Sequence, residues 1–85
     1  MARIRVTIDG DDRRTQGVVT VLTGAADDVE VRDAREDPDT AAFLDRLVCC
    51  GPVTPVVEVA GLVLTGPNPA EALAAVRRVA PDLVR

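Results

Sequence analysis

Hydrophobic and polar positions divide the chain into short segments of two different periods. Arg3 to Ile8 alternates, with Ile4, Val6 and Ile8 on one face, and predicts a strand ended by Asp9-Gly10-Asp11-Asp12. Val29-Glu30-Val31-Arg32 alternates in the same way and predicts a second short strand. Val56 to Val59 and Leu62 to Thr65 are two more. Only Ala60-Gly61 separates them, which predicts an antiparallel hairpin. Between these runs lie two segments of helical period. Asp37-Pro38 supplies a cap and a first-turn proline, and Phe43, Leu44, Leu47 and Val48 form one apolar stripe. Gly51 and Pro52 stop that helix. Asn68-Pro69-Ala70-Glu71 opens the other with a cap, a first-position proline and an acidic third residue. Its buried stripe is predicted to be Leu73, Val76, Ala80 and Leu83, with Glu71, Ala74 and Arg78 facing out.

Arg13 to Thr23 answers to two descriptions. Val18-Val19-Thr20-Val21-Leu22 has strong strand propensity, and Gly17 weakens a helix. A helix from about Asp12 to Thr23, with Gly24 as its stop, is the competing description. Topology favours the helix. It lets Val29 to Arg32 lie parallel to Arg3 to Ile8 through a right-handed crossover. The two clear helices then cover the sheet, one on each face. The expected fold class is α/β, in the order β-α-β-α-β-β-α, with a central mixed sheet of four strands and three helices.

Length bounds the rest. Eighty-five residues make one domain, residues 1–85, near the low end for a self-sufficient core. Hydrophobic residues are 47% of the chain, yet Phe43 is the single aromatic, so the core must be built from Val, Leu, Ile and Ala. A net charge of -4 and the lack of aromatic platforms argue against nucleic acid and anionic membrane as partners. No apolar run approaches the roughly 20 residues that span a bilayer. The N-terminal residues carry no signal-like apolar stretch, which predicts a cytoplasmic chain.

The order and spacing of several segments resemble the glutaredoxins, within the thioredoxin-like family, in the manner of a short bacterial member. The likeness runs through nearly the whole chain. Arg3 to Asp9 is similar to the family's first strand, and Val29 to Pro38 to its second strand and acidic link. Val53-Thr54-Pro55-Val56-Val57 is similar to the segment carrying its cis-proline, and Gly66 to Leu73 to its Gly-rich turn into the last helix. The resemblance implies a thioredoxin-like fold with Pro55 in cis and a ligand or partner groove around Thr54 and Pro55.

The departures bear on chemistry. The family's CxxC would fall in Gly10-Asp11-Asp12-Arg13-Arg14, where Asp11 and Arg14 occupy the thiol positions. Neither can attack a disulfide, which requires a thiolate. Pro67 replaces the second glycine of the glutathione-binding turn and removes a backbone N–H, so glutathione is not expected to bind in the family manner. Asp11 to Arg14 otherwise reads as a solvated charge run.

Cys49 and Cys50 are adjacent and outline no disulfide framework. Cys50 borders the apolar stripe as a small hydrophobe, and Cys49 points toward solvent. At a helix C-terminus the dipole disfavours a thiolate. No His is present and no tetrahedral ligand set is visible, so no metal or other cofactor is expected.

The expected function is a noncatalytic binding or accessory module for a partner protein, with Asp11, Arg14, Thr54 and Pro55 lining the groove. The alternative is a thiol-disulfide oxidoreductase acting through Cys50 and Cys49.

Overall fold

The computed structural model describes residues 3–10, 12–47 and 54–85. The elements run β1 (Ile4–Ile8), α1 (Arg13–Ala25), β2 (Val29–Asp33), α2 (Pro38–Leu47), β3 (Val56–Val59), β4 (Leu62–Thr65) and α3 (Pro69–Val79), followed by a 3-10 turn at Pro81–Leu83. The layout is the predicted β-α-β-α-β-β-α. The sheet order is β2-β1-β3-β4, with β1 parallel to β2, β3 antiparallel to β1, and β4 antiparallel to β3.

The period of two in β1 assigns the two sheet faces. Ile4 and Val6 are fully buried and join Val57 and Val59 of β3. Val18 and Leu22 of α1 and Ala72 and Val76 of α3 close the core over them. α1 and α3 therefore share one face. α2 lies across the other, where Thr40 and Phe43 stand over Arg5 and Thr7 of β1. The two helices that sequence marks most clearly, α2 and α3, thus sit on opposite faces, as expected. Leu44, Leu47 and Val48 of the predicted α2 stripe lie outside the described side chains.

Arg13 to Thr23 is helical, against its strand propensity. Asp12 caps α1 by accepting the Thr15 N–H at 2.8 Å. Val18 and Leu22, four residues apart, bury one stripe completely. Gly17, the residue that argued for a strand, faces α3. A Cβ built on it would stand 2.9 Å from the Pro69 ring. The glycine lets two helices approach, and its lost helix propensity is the cost of that packing.

One boundary differs from expectation. Gly24 is not the stop; α1 runs on to Ala25 and is capped by Ala26 in an extended conformation. The chain end supplies the termination instead. Ala26 bridges Val84, the Arg85 N–H donates to the Ala25 carbonyl at 2.8 Å, and the Arg85 guanidinium donates to the Thr23 carbonyl at 3.0 Å. A cation on exposed carbonyls also suits the negative end of the helix dipole. A stop built from residues sixty positions away carries no local signal.

The hairpin and the start of α3 are as predicted, the α3 stripe only in part, and the predicted α2 stop at Gly51 and Pro52 lies outside the described residues. Ala60 and Gly61 both have positive φ, 49° and 83°, as a two-residue hairpin of the I′ kind requires. Asn68 and Glu71 form a reciprocal capping box at the start of α3. In α3 the buried residues are Ala72, Ala75 and Val76, with Ala80 and Leu83 beyond its end; Leu73 is half-buried.

The contact between Gly17 and Pro69 generates a test. Helix propensity alone predicts that Gly17→Ala stabilises by up to about 1 kcal/mol. The close approach reverses the sign, to a loss of about 1–3 kcal/mol. Urea unfolding should show the loss, and Pro69→Ala in the same chain should recover part of it as a coupling of at least about 0.5 kcal/mol. A stabilised Gly17→Ala variant would show that the two helices do not meet there.

Candidate functional site

The pairing register brings four separate segments to one end of the sheet. Ile8 pairs with Asp33, Thr7 with Val56, and Val56 with Thr65. The loop after β1, the link after β2, Thr54–Pro55 and the turn Gly66–Asn68 therefore all leave or enter the sheet at the C-terminal end of β1. Hydrogen bonds join them in pairs. The Gly66 N–H donates to the Pro55 carbonyl at 2.8 Å, and the Ala34 N–H to the Ile8 carbonyl at 2.8 Å. The Thr54–Pro55 peptide is cis. Pro55 is buried, Thr54 half-buried, and Arg14 exposed in the first turn of α1. Thr54, Pro55 and Arg14 are thus placed at the same end. Asp11, Cys49 and Cys50 lie outside the described residues.

Asp33 organises this end. Its carboxylate, with 14% of the side chain exposed, accepts from the Arg35 guanidinium at 3.0 Å and from the Arg35 N–H at 2.9 Å. Those bonds, then the Arg35 charge and a bond from the Gly10 N–H, hold its pKa below the ordinary 3.8. The β1 loop, where Gly10 has φ 105°, is joined to the β2 link by the Ala34 N–H bond to the Ile8 carbonyl. Asp12 is also held below 3.8, first by the Thr15 N–H. Asp37 is held below 3.8 by the Thr40 hydroxyl, which donates to it at 2.8 Å, and by the Asp39 N–H. Each of these acids is engaged by donors close by in sequence.

The face beneath α2 is a second, polar surface that sequence patterning did not single out. Register places Glu30, Arg5, Glu58 and Val63 in one cross-strand row, and Arg32, Thr7, Val56 and Thr65 in the next. α2 closes over these rows to leave a cleft of about 240 Å³. Arg5, Thr7 and Arg32 line its sheet side, and Asp39, Thr40, Phe43 and Arg46 its helix side. Arg32 is engaged by Glu30 and, at 3.3 Å, by Asp37. Those partners raise its pKa, and its hydrogen bond is the leading cause that lowers the pKa of Glu30. On the far side of Arg5 a second hollow of about 210 Å³ reaches toward the hairpin turn. There Glu58 carries a buried carboxylate oxygen, Oε1, without a hydrogen-bond partner among the described residues. The available signal was the position of Arg5 and Thr7 between core residues, combined with the three- and four-residue spacing of Asp39, Phe43 and Arg46.

Among the described residues no group of three or more His, Cys, Asp or Glu could hold a metal ion, and no helix is long and apolar enough to cross a membrane. Comparison with known proteins found no matching family model, curated protein or solved structure.

The lowered carboxylate pKa at Asp33 fixes the sign of a pH effect. Its folded value lies below 3.8, so its stabilisation is present above the unfolded value and is lost as pH falls through the folded one. Thermal melts by circular dichroism, from neutral pH to about pH 3, should show Tm falling at the acid end. Asp33→Asn should lower Tm at neutral pH and flatten the acid limb. A variant curve parallel to the parent's would show that the Asp33–Arg35 bonds add no stability.

Proposed function

We propose that this chain is a cytoplasmic, glutaredoxin-like module of the thioredoxin fold that has given up disulfide chemistry and binds a partner protein. The partner docks at the C-terminal end of β1, on Thr54 and the Asp11 to Arg14 segment, with the buried Pro55 holding Thr54 in place. The observation that carries this reading is the convergence there of four segments distant in sequence, joined in pairs by the bonds at the Pro55 and Ile8 carbonyls. A platform so tied presents a fixed surface and loses little conformational entropy on binding. Arg14, at one of the positions where the family resemblance would put a thiol, is exposed and free to meet a partner. Pro67 is consistent with a ligand other than glutathione.

Site-specific photo-crosslinking in the native host tests this. A crosslinker at position 14 or 54 should capture the same protein, and one at the exposed position 74 on α3 should not. With that protein purified, Arg14→Glu or Thr54→Asp should weaken binding by about tenfold or more, equivalent to ~1.4 kcal/mol. Binding should survive replacement of both Cys49 and Cys50 by Ser. Capture that requires either cysteine would instead establish the thiol-disulfide oxidoreductase, and no shared product at 14 and 54 would refute docking at this end.

A further inference from the structure

The cleft beneath α2 has a composition that folding alone does not call for. Three arginines, Arg5, Arg32 and Arg46, line one hollow of about 240 Å³, with Asp39 the single acidic residue among its lining residues. Arg32 is neutralised by Glu30 and Asp37. Arg5 and Arg46 make no ion pair among the described residues. Arg5 is half-buried in the central strand, flanked in register by Glu30 and Glu58, and borders both this cleft and the hollow that Glu58 lines, without an ion pair to either carboxylate. Like charges in a partly desolvated hollow repel more strongly than in water, so an anion entering it is correspondingly favoured.

We propose that this cleft is a binding site for a small molecule bearing an oxyanion, a carboxylate or a phosphate, held between Arg5 and Arg46. Guanidinium forks match both groups in geometry and can bind them bidentately. Thr7, 1% exposed and on the same strand face as Arg5, adds a hydroxyl at the floor. The Thr40 hydroxyl is already committed to Asp37, so it shapes the wall instead of serving the ligand. Phe43 gives the helix side an apolar surface against which a short carbon skeleton can lie. The volume is below the roughly 300–1,000 Å³ of drug-sized sites, which selects a small metabolite over a nucleotide or a peptide. Asp39 at the rim disfavours ligands with dense negative charge. This inference stands apart from the partner-docking proposal, because it rests on the α2 face and not on the end of the sheet.

The test is a nitrogen-15 NMR titration of the full chain with sodium phosphate and, separately, with sodium succinate. Each series is run against sodium chloride at matched ionic strength, so that general screening is subtracted. The expected result is saturable shifts confined to the amides of Arg5, Thr7, Thr40, Phe43 and Arg46 and to the Arg5 and Arg46 Nε–H signals. Saturation by phosphate alone assigns a phosphate-bearing ligand, and by succinate alone a carboxylate-bearing one. Arg46→Ala, on an exposed helix position, should weaken binding at least tenfold, and Arg46→Lys by less. Arg77→Ala, on α3, should leave it unchanged. Arg5→Gln should abolish saturation; should that variant fail to fold, Arg46→Ala decides alone. Linear, non-saturating shifts with both salts, or the same affinity in Arg46→Ala as in the parent, would overturn the proposal.

Discussion

β1 is paired on both sides and supplies side chains to both faces of the sheet, so its two-residue period constrains everything built on it. Ile4 and Val6 must face α1 and α3, and Arg5 and Thr7 must then face α2. A slip of one residue in its pairing with β2 or β3 would drive a guanidinium into the aliphatic core. Such a burial is prohibitive without a partner. The parallel pairing with β2 also requires a crossover, which is what turns Arg13 to Ala25 into a helix despite its β-branched run. Local preference yields because one helix buries Val18 and Leu22 against the same face that β1 has made apolar.

How much of this was legible depended on whether each signal was local. The hairpin, the α3 capping box and the α2 start were readable because two to four adjacent residues specify them: Ala60-Gly61, Asn68 to Glu71, and Asp37-Pro38. Gly17 misled at the level of propensity because its purpose is set by Pro69, fifty-two positions away in sequence. Gly24 misled for a related reason: a glycine near a helix end is a stop only when nothing else terminates the helix, and here Ala26, Val84 and Arg85 do. Arg14, Thr54 and Pro55, which the family resemblance assigned to a groove, stand at one end of the sheet. Sequence could not show that Asp33, which reads as part of a charged link, holds Arg35 through both its guanidinium and its backbone N–H.

The acidic residues deserve separate consideration because they dominate the net charge. Asp12 and Asp37 precede helices and Asp33 ends β2, and each accepts a backbone N–H close by in sequence. Their pKa values are lowered first by the Thr15 N–H at Asp12, by the Arg35 guanidinium at Asp33 and by the Thr40 hydroxyl at Asp37. Three of the fourteen acidic residues thus serve at the ends of regular elements. Surface pairs such as Arg3 with Asp82, both sides more than half exposed, add little to stability beside these.

The polar face beneath α2 sets the sharper question about selection. A domain of 85 residues with one aromatic has little apolar surface to spare. Burying an additional Val or Leu in place of Arg5 or Thr7 would contribute about 1.5–3 kcal/mol, a sizeable fraction of the stability of a small domain. Thr7 lies in the central strand at 1% exposure, a position where an aliphatic residue fits the strand equally well. Glu58, its diagonal neighbour in β3, leaves a carboxylate oxygen buried and unpartnered among the described residues, which costs stability as well. Polar residues on three strands and a helix converge on the same face, so the loss is repeated and not incidental to one position. A face that carries polar side chains at several registers, while the opposite face is packed with Ile, Val, Leu and Ala, is what the proposed anion site requires. Ligand binding to the native state returns part of the lost stability by mass action. The same chain then divides its labour by strand parity: odd positions of β1 serve recognition and even positions hold the fold.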